Sequence, residues 1–157
     1  MTAPDMRQRH SINIRSNPEV VYSLVSDLSR MGEWSTENIG GEWIEGEPGV
    51  LNAKFSGNNK LGDFEWTVDI RVSKADVNEN FEFIVDPDHD EGPFVRWGYQ
   101  IVELEQGSVE LTETWEIILL PVSLRSLNDR QLANRKAAVG ETMRATLQGI
   151  KAAAEAS

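Results

Sequence analysis

Cysteine is absent from the 157 residues of this chain, and histidine occurs only twice, at His10 and His89. The first absence excludes disulfides, thiolate metal sites and a cysteine nucleophile. The two histidines are far apart and no serine elbow accompanies them, so neither a hydrolytic triad nor a two-histidine metal site is supported. There is no glycine-rich phosphate loop. We therefore expect no metal and no cofactor.

Long apolar runs are also lacking. The longest, Ile117 to Val122, is interrupted by Pro121 and is far shorter than the ~20 residues of a membrane span. The first ten residues have no apolar signal core. The net charge of −11 repels phosphate backbones, which argues against nucleic acid as a partner. These features predict a cytoplasmic protein.

The length is that of one domain, so we expect a single domain over residues 1–157 with residues 1–6 as a disordered tail. Residues 7–15 alternate in polarity and predict a strand. A helix is expected to begin at Pro18, capped by Asn17 or by a capping box of Ser16 and Glu19, and to end near Leu28. A short second helical turn follows.

Period-two alternation continues from residue 40 to residue 120 and predicts six more strands without intervening helices. The predicted strands are Gly41–Glu45, Val50–Gly57, Phe64–Ala75, Phe81–Val85, Val95–Leu104 and Ser108–Leu120. The connections include loops over residues 58–63 and 86–93.

Helical periodicity returns after Pro121 and predicts one long helix over residues 128–154. Its apolar stripe consists of Leu132, Val139, Met143, Leu147, Ile150 and Ala154. The predicted fold is α+β, in the order β-α-α-β6-α, with a seven-stranded curved antiparallel sheet wrapped on the C-terminal helix. A single helix does not fill the concave side of such a sheet, so a cavity is expected between them.

Several segments, in their order along the chain, resemble the START-like superfamily, which includes the birch-pollen allergen fold and the polyketide cyclase/dehydrase proteins. These segments are Ser16 to Arg30, Glu33-Trp34-Ser35, Phe55 to Asn59, Val95-Arg96-Trp97, Thr112 to Glu116 and Met143 to Leu147. The resemblance covers roughly residues 8–155 and is greatest to actinobacterial single-domain members. It implies a helix-grip fold and a ligand cavity, but no particular reaction.

Aromatic side chains are numerous on the predicted inward faces, and flat rings suit an aromatic or polycyclic ligand. For any single one of them a plain core is the better interpretation, whereas the set as a whole favours a mixture of core and cavity lining. The predicted ligand-binding set is Trp34, Phe55, Trp66, Phe83, Trp97, Tyr99, Glu113, Trp115, Val139 and Met143.

Glu113 interrupts the apolar row of the last strand, so its carboxyl is expected to be buried with a raised pKa. It is the first candidate for a catalytic acid or base, and Tyr99 is the second. The alternatives are a structural pair with Arg96 or with a tryptophan N–H, or an outward-facing position. Strand parity places Arg96 on the outer surface.

The acidic segment Asp86 to Gly92 fails the calcium-loop pattern, since its twelfth position is Trp97, and is interpreted as a solvated loop at the cavity mouth.

Three functions remain open. The first is a carrier or sensor that binds a small apolar, aromatic or lipid-like molecule. The second is an aromatase/cyclase or dehydratase-like enzyme that uses a cavity acid or base. The third is a protein-interaction domain without a ligand, whose contact surface is the slightly basic last helix or the acidic loop. A homodimer is left open.

Overall fold

The computed structural model describes residues 5–157 and contains one seven-stranded antiparallel sheet. The order of strands across the sheet is β1-β7-β6-β5-β4-β3-β2, so the only neighbours that are not consecutive in the chain are β1 and β7. The strands are β1 Arg7–Ile14, β2 Asn38–Glu45, β3 Lys54–Leu61, β4 Phe64–Asp76, β5 Asn80–Val85, β6 Val95–Glu103 and β7 Val109–Ile117. The predicted α+β class and element order are confirmed.

The first helix, α1, spans Pro18–Val25, and a 3₁₀ helix follows at Leu28–Glu33. Asn17 is the N-cap, because its side-chain oxygen accepts a hydrogen bond from the backbone N–H of Val20 (2.9 Å). Of the two predicted caps, Asn17 is therefore the one that forms. The helix ends at Val25 rather than near Leu28.

The strand β3 lies further along the chain than predicted. Residues 50–53 form a turn, in which the Ala53 N–H donates to the Val50 carbonyl (3.0 Å) and Asn52 adopts a positive φ of 72°. The strand then continues through the predicted loop to Leu61, because a tight turn at Gly62 (φ 62°) suffices to join it to β4. The predicted strand over 50–57 and loop over 58–63 are corrected accordingly.

The long helix α2 spans Asp129–Glu155 and begins with a capping box between Asn128 and Gln131. Every member of the predicted apolar stripe is buried. Two side chains fix α2 to β1: Gln8 Nε2 donates to the Lys136 carbonyl (2.8 Å), and Lys151 Nζ donates to the Asn13 carbonyl (2.7 Å). The helix therefore lies along the β1 side of the sheet.

The predicted tail over residues 1–6 extends too far. Met6 packs against the cluster around Trp115, and its carbonyl accepts a hydrogen bond from the Ile117 N–H (3.0 Å). Residues 1–4 of that tail lie outside the described part of the chain.

The buried apolar side chains form two clusters instead of one. The larger contains residues of α1, the 3₁₀ helix and the C-terminal half of α2, together with inward residues of the sheet. The smaller is built on Trp115, Val139 and Met143. Members of both clusters line a single cavity, which shows that α2 leaves part of the concave face unfilled.

Two glycines of α2 give a matched test of this packing. A side chain at Gly149 would overlap the Cβ of Trp34, and its Cβ would lie 3.0 Å from the Trp34 Cα. At Gly140 the nearest atom would be the flexible end of Gln8 (Nε2, 2.9 Å). Helix propensity alone favours alanine over glycine by up to ~1 kcal/mol at both positions.

We predict that Gly149→Ala destabilises the protein by about 1–3 kcal/mol, because the Trp34 backbone must move. Gly140→Ala should cost less, since only a side-chain tip has to shift. Urea unfolding of both variants measures the difference. Equal free energies of unfolding for the two variants would contradict the close contact between Trp34 and α2.

Candidate ligand-binding site

A cavity of about 640 Å³ lies between the concave face of the sheet and α2. Strands β3 to β7 provide most of the cavity wall. The 3₁₀ helix contributes Leu28 and Met31, and each turn of α2 that faces the cavity contributes at least one residue. A volume of this size is within the range of small-molecule sites in proteins.

Glu113 and Tyr99 form the polar centre of this wall. They are directly opposed on β7 and β6, so their side chains leave the same face of the sheet. The Tyr99 hydroxyl donates a hydrogen bond to Glu113 Oε2 (2.8 Å), and both residues are at least 96% buried. The second carboxyl oxygen, Glu113 Oε1, is buried and has no hydrogen-bond partner among the described residues.

Burial sets the protonation state of this pair. Loss of hydration raises the pKa of Glu113 to about 8, and the hydrogen bond from Tyr99 opposes this only in part. Burial also raises the pKa of Tyr99 well above its usual value, with the nearby Glu113 charge as the second cause. At neutral pH Glu113 is therefore mostly a neutral carboxylic acid, which can donate a proton as well as accept one.

Aromatic rings form the walls around this polar centre. Trp97 and Trp115 lie side by side, with ring centroids 6.4 Å apart and an interplanar angle of 50°. Phe55, Phe83 and Phe94 also line the cavity. Rings held in this way present flat, rigid apolar surfaces to a guest molecule.

Exposed lining residues mark the mouth of the cavity. Phe64 and Leu61, at the tip of the β3–β4 hairpin, are 67% and 57% exposed, and the Phe64 ring stacks on Trp66 at 5.3 Å. Ser123 and Leu124, in the connection between β7 and α2, also line the cavity. The mouth thus lies between a hairpin tip and the start of α2.

An ion pair joins α2 to the start of β2 at the cavity wall. Arg135 donates two hydrogen bonds to Glu37, from Nη2 to Oε1 (2.8 Å) and from Nη1 to Oε2 (3.2 Å). Two turns further along α2, Thr142 accepts a hydrogen bond from the Thr36 hydroxyl (3.3 Å). A bidentate pair of this kind satisfies most of the charge of both partners.

All the predicted ligand-binding residues line the cavity except Trp34. Trp34 is buried beside α2, its Nε1–H donates to Met31 Sδ (3.1 Å), and the Arg30 guanidinium covers its ring at 5.3 Å. It is a structural contact between the 3₁₀ helix and α2, and its inclusion in the predicted set is wrong.

Sequence reasoning missed Met31, Phe94, Glu37 and Arg135. Arg135 precedes Val139 by four residues on α2, so the two residues share a helix face. This spacing could have predicted that Arg135 lines the cavity. Met31 lies on a 3₁₀ helix, for which no inward face was predicted. The predicted partner of Glu113 is also corrected: it is neither Arg96 nor a tryptophan N–H, but Tyr99.

Arg96 lies on the outer face, as strand parity predicted, and pairs with Glu116 (3.1 Å) and Glu82 (3.5 Å). In the acidic loop, Asp88 pairs with Lys54 (2.8 Å) and Arg71 (3.2 Å). Among residues 5–157, no three histidine, aspartate or glutamate side chains are grouped so as to hold a metal ion. No helix in this part of the chain is long and apolar enough to cross a bilayer.

The antiparallel sheet, the single long C-terminal helix and the cavity between them define a START-like protein of the helix-grip type. Comparison with solved structures agrees. A START superfamily protein of Mycobacterium smegmatis superimposes with a TM-score of 0.73 at 14% identity, over 96% of this chain and 97% of that chain. An aromatase/cyclase from a Streptomyces species superimposes with a TM-score of 0.72 at 12% identity, over 95% and 93%. At these identities the likeness shows the fold alone.

The chain belongs to the family described as polyketide cyclase / dehydrase and lipid transport, whose model matches residues 6–155. It is also 30% identical to a polyketide-cyclase-like protein of Corynebacterium glutamicum, with a TM-score of 0.66 over 96% of this chain and 91% of that chain. The predicted family is thereby confirmed. No curated protein sequence matches the chain significantly.

The buried acid gives a prediction about stability. In the folded protein Glu113 keeps its proton up to a pH of about 8, whereas the unfolded chain releases it near the ordinary value of 4.5. Between these values the unfolded state binds fewer protons, so Glu113 lowers the free energy of unfolding progressively as the pH rises. In this range the free energy of unfolding falls by ~1.4 kcal/mol for each pH unit, which amounts to a few kcal/mol in all.

Glu113→Gln should remove this loss, so the variant should gain stability relative to the unaltered protein as the pH rises from about 5 to about 8. Urea unfolding at several pH values measures the difference. Glu116→Gln, on the outer face of the same strand, is the matched control and should run parallel to the unaltered protein. Parallel curves for Glu113→Gln as well would show that the acid is not buried as described.

Proposed function

We propose that this protein binds a small, largely apolar or aromatic molecule in the cavity and holds it through one polar contact at Glu113 and Tyr99. The observation that carries the proposal is a buried carboxyl oxygen without a partner, Glu113 Oε1, in the wall of an aromatic cavity of about 640 Å³. A buried polar atom that lacks a hydrogen bond costs about 1–3 kcal/mol, and a ligand atom that bonds to it removes that cost.

The composition of the cavity wall supports a carrier or sensor. This wall is mostly apolar, with polar groups at several positions around it, which is the usual composition of a small-molecule site. The family description includes lipid transport, which fits the same interpretation. The alternative of an interaction domain without a ligand required a filled interior, and the cavity argues against it.

An enzyme is the second candidate, because Glu113 and Tyr99 are linked at 2.8 Å and the raised pKa of Glu113 lies near working pH. A group with such a pKa transfers protons efficiently in either direction. The aromatase/cyclase neighbour from Streptomyces and the family description are consistent with cyclisation or dehydration of a keto compound. Retained binding with lost turnover of a bound polyketide-like compound in Glu113→Gln would favour this function.

The class of partner and the cellular location of this protein also remain predictions. A net charge of −11 supports a small molecule over nucleic acid as the partner. The composition without cysteine fits a reducing compartment such as the cytoplasm.

Filling the cavity tests the binding proposal. Val68 on β4 is half-buried and lines the cavity, so Val68→Trp should place a ring in the space that a ligand would occupy. We predict at least a ~10-fold loss of affinity for the neutral fluorescent probe N-phenyl-1-naphthylamine, equivalent to about 1.4 kcal/mol. Fluorescence titration provides the measurement.

The matched control is Val102→Trp, since Val102 is 45% exposed on β6 and does not line the cavity. Circular dichroism verifies that both variants are folded. Failure of the unaltered protein to bind the probe, and the absence of any co-purified small molecule in native mass spectrometry, would sink the proposed function.

A further inference from the structure

The charges that line the cavity are few and mostly acidic. Among the described lining residues the ionisable side chains are Glu37, Asp86, Tyr99, Glu113 and Arg135. Arg135 is the only cation of that set, and Glu37 already binds it with two hydrogen bonds. An anionic ligand would therefore have to displace Glu37, and it would enter a protein whose net charge is −11.

No cation faces Glu113 from the elements around it. Tyr99 opposes it on β6, and His10 opposes it on β1. His10 bonds to Gln8 Oε1 (2.9 Å), and burial, with the charge of Arg144 on α2 as the second cause, lowers the pKa of His10 and so disfavours its cationic form. From the 3₁₀ helix, the uncharged Met31 Sδ lies 3.9 Å from the Tyr99 hydroxyl. A carboxylate ligand at this point would face a second carboxyl group without any counter-charge.

The protonated Glu113 carboxyl instead provides a hydrogen-bond donor. Tyr99 donates to Oε2, so the proton of the neutral acid is available on Oε1, which has no partner among the described residues. A carbonyl, ether or hydroxyl oxygen of a ligand is the matching acceptor. Uncharged polar residues nearer the mouth, Asn38, Asn59 and Thr142, provide further contacts for neutral oxygen substituents.

We infer that the cavity takes its ligand as an uncharged molecule with an oxygen acceptor directed at Glu113 Oε1, and that it rejects carboxylates. The inference rests on the proposed function and names the chemical class of the ligand. It separates neutral ketones, lactones, quinones and alcohols from free fatty acids and other organic anions. A cationic ligand would instead require Glu113 to lose its proton, and that possibility is an outcome of the test.

Competition among matched naphthalenes tests the inference. Each of four compounds displaces N-phenyl-1-naphthylamine at about pH 6, where Glu113 and an ordinary carboxylic ligand differ in protonation. The compounds are 2-methylnaphthalene, methyl 2-naphthyl ketone, 2-naphthoate and 2-naphthylmethylammonium. The ketone should bind about 5-fold more tightly than 2-methylnaphthalene, as one net hydrogen bond provides. The 2-naphthoate should bind at least ~10-fold more weakly than 2-methylnaphthalene.

The pH dependence and one variant complete the design. The advantage of the ketone should disappear as the pH rises through about 8, because the Glu113 carboxylate has no proton to donate. In Glu113→Gln the amide keeps a donor, so the advantage should persist and become independent of pH. Glu116→Gln on the outer face should behave like the unaltered protein. Because the pH series uses the unaltered protein, the test holds even where Glu113→Gln folds poorly.

The outcomes of the competition experiment distinguish failure of this inference from failure of the proposed function. Binding of 2-naphthoate as tight as that of the ketone would overturn the inference, and so would tightest binding by the ammonium compound. In both cases the probe still binds, so the proposed function stands. Loss of probe binding by the unaltered protein would instead refute the proposed function.

Discussion

The attachment of α2 to one side of the sheet is the constraint from which the rest of the structure follows. Hydrogen bonds from Gln8 and Lys151 fix the helix along β1, at one edge of a seven-stranded sheet. A helix is about 10 Å wide, whereas seven strands at ~4.8 Å spacing are about three times as wide. The helix α2 therefore cannot cover the concave faces of β4, β5 and β6, and α1, which packs against β5 and β6, covers only part of them. At the β2 side the helix is joined to the sheet mainly through Arg135 and Glu37, which leaves the space between as a cavity.

The same constraint explains why a carboxylic acid is tolerated in the interior. Glu113 lies on β7, near the small cluster that contains Val139 and Met143, at the point where helix packing gives way to open space. Close packing on all sides would leave both carboxyl oxygens in contact with apolar atoms only. Here one oxygen accepts a hydrogen bond from Tyr99, the other is buried without a partner, and the burial that raises the pKa of Glu113 keeps the acid neutral.

Much of this arrangement was predictable from the sequence, because it depends on periodicity. The stripe of α2 and the inward alternation of the strands placed nine of the ten predicted ligand-binding residues in the cavity wall. The errors have physical causes. Trp34 directly follows a short 3₁₀ helix, whose period does not predict which way its side chain points, and the space that Gly149 leaves for it is a tertiary feature. The predicted bounds of β3 were wrong for two reasons: alternation does not distinguish the turn at residues 50–53 from a strand, and Asn58 and Asn59, which are typical turn residues, lie within the strand. Pairing register decided the partner of Glu113: directly opposed residues share a face, which selects Tyr99 and sends Arg96 outward.

At Glu113 the stability of the fold and the proposed function make opposite demands on the side chain. Its burial lowers the stability of the empty protein at neutral pH, and glutamine or leucine at this position would avoid that loss. Structural acids in proteins generally have a cation or several N–H donors within reach, and this one has a single tyrosine hydroxyl. A buried group that destabilises the fold and leaves one oxygen without a partner is the kind of exception to structural rules that is expected at functional sites. Under the proposed function, a ligand oxygen that accepts the proton of Oε1 would supply the missing interaction, and every polar atom of the pair would then be satisfied.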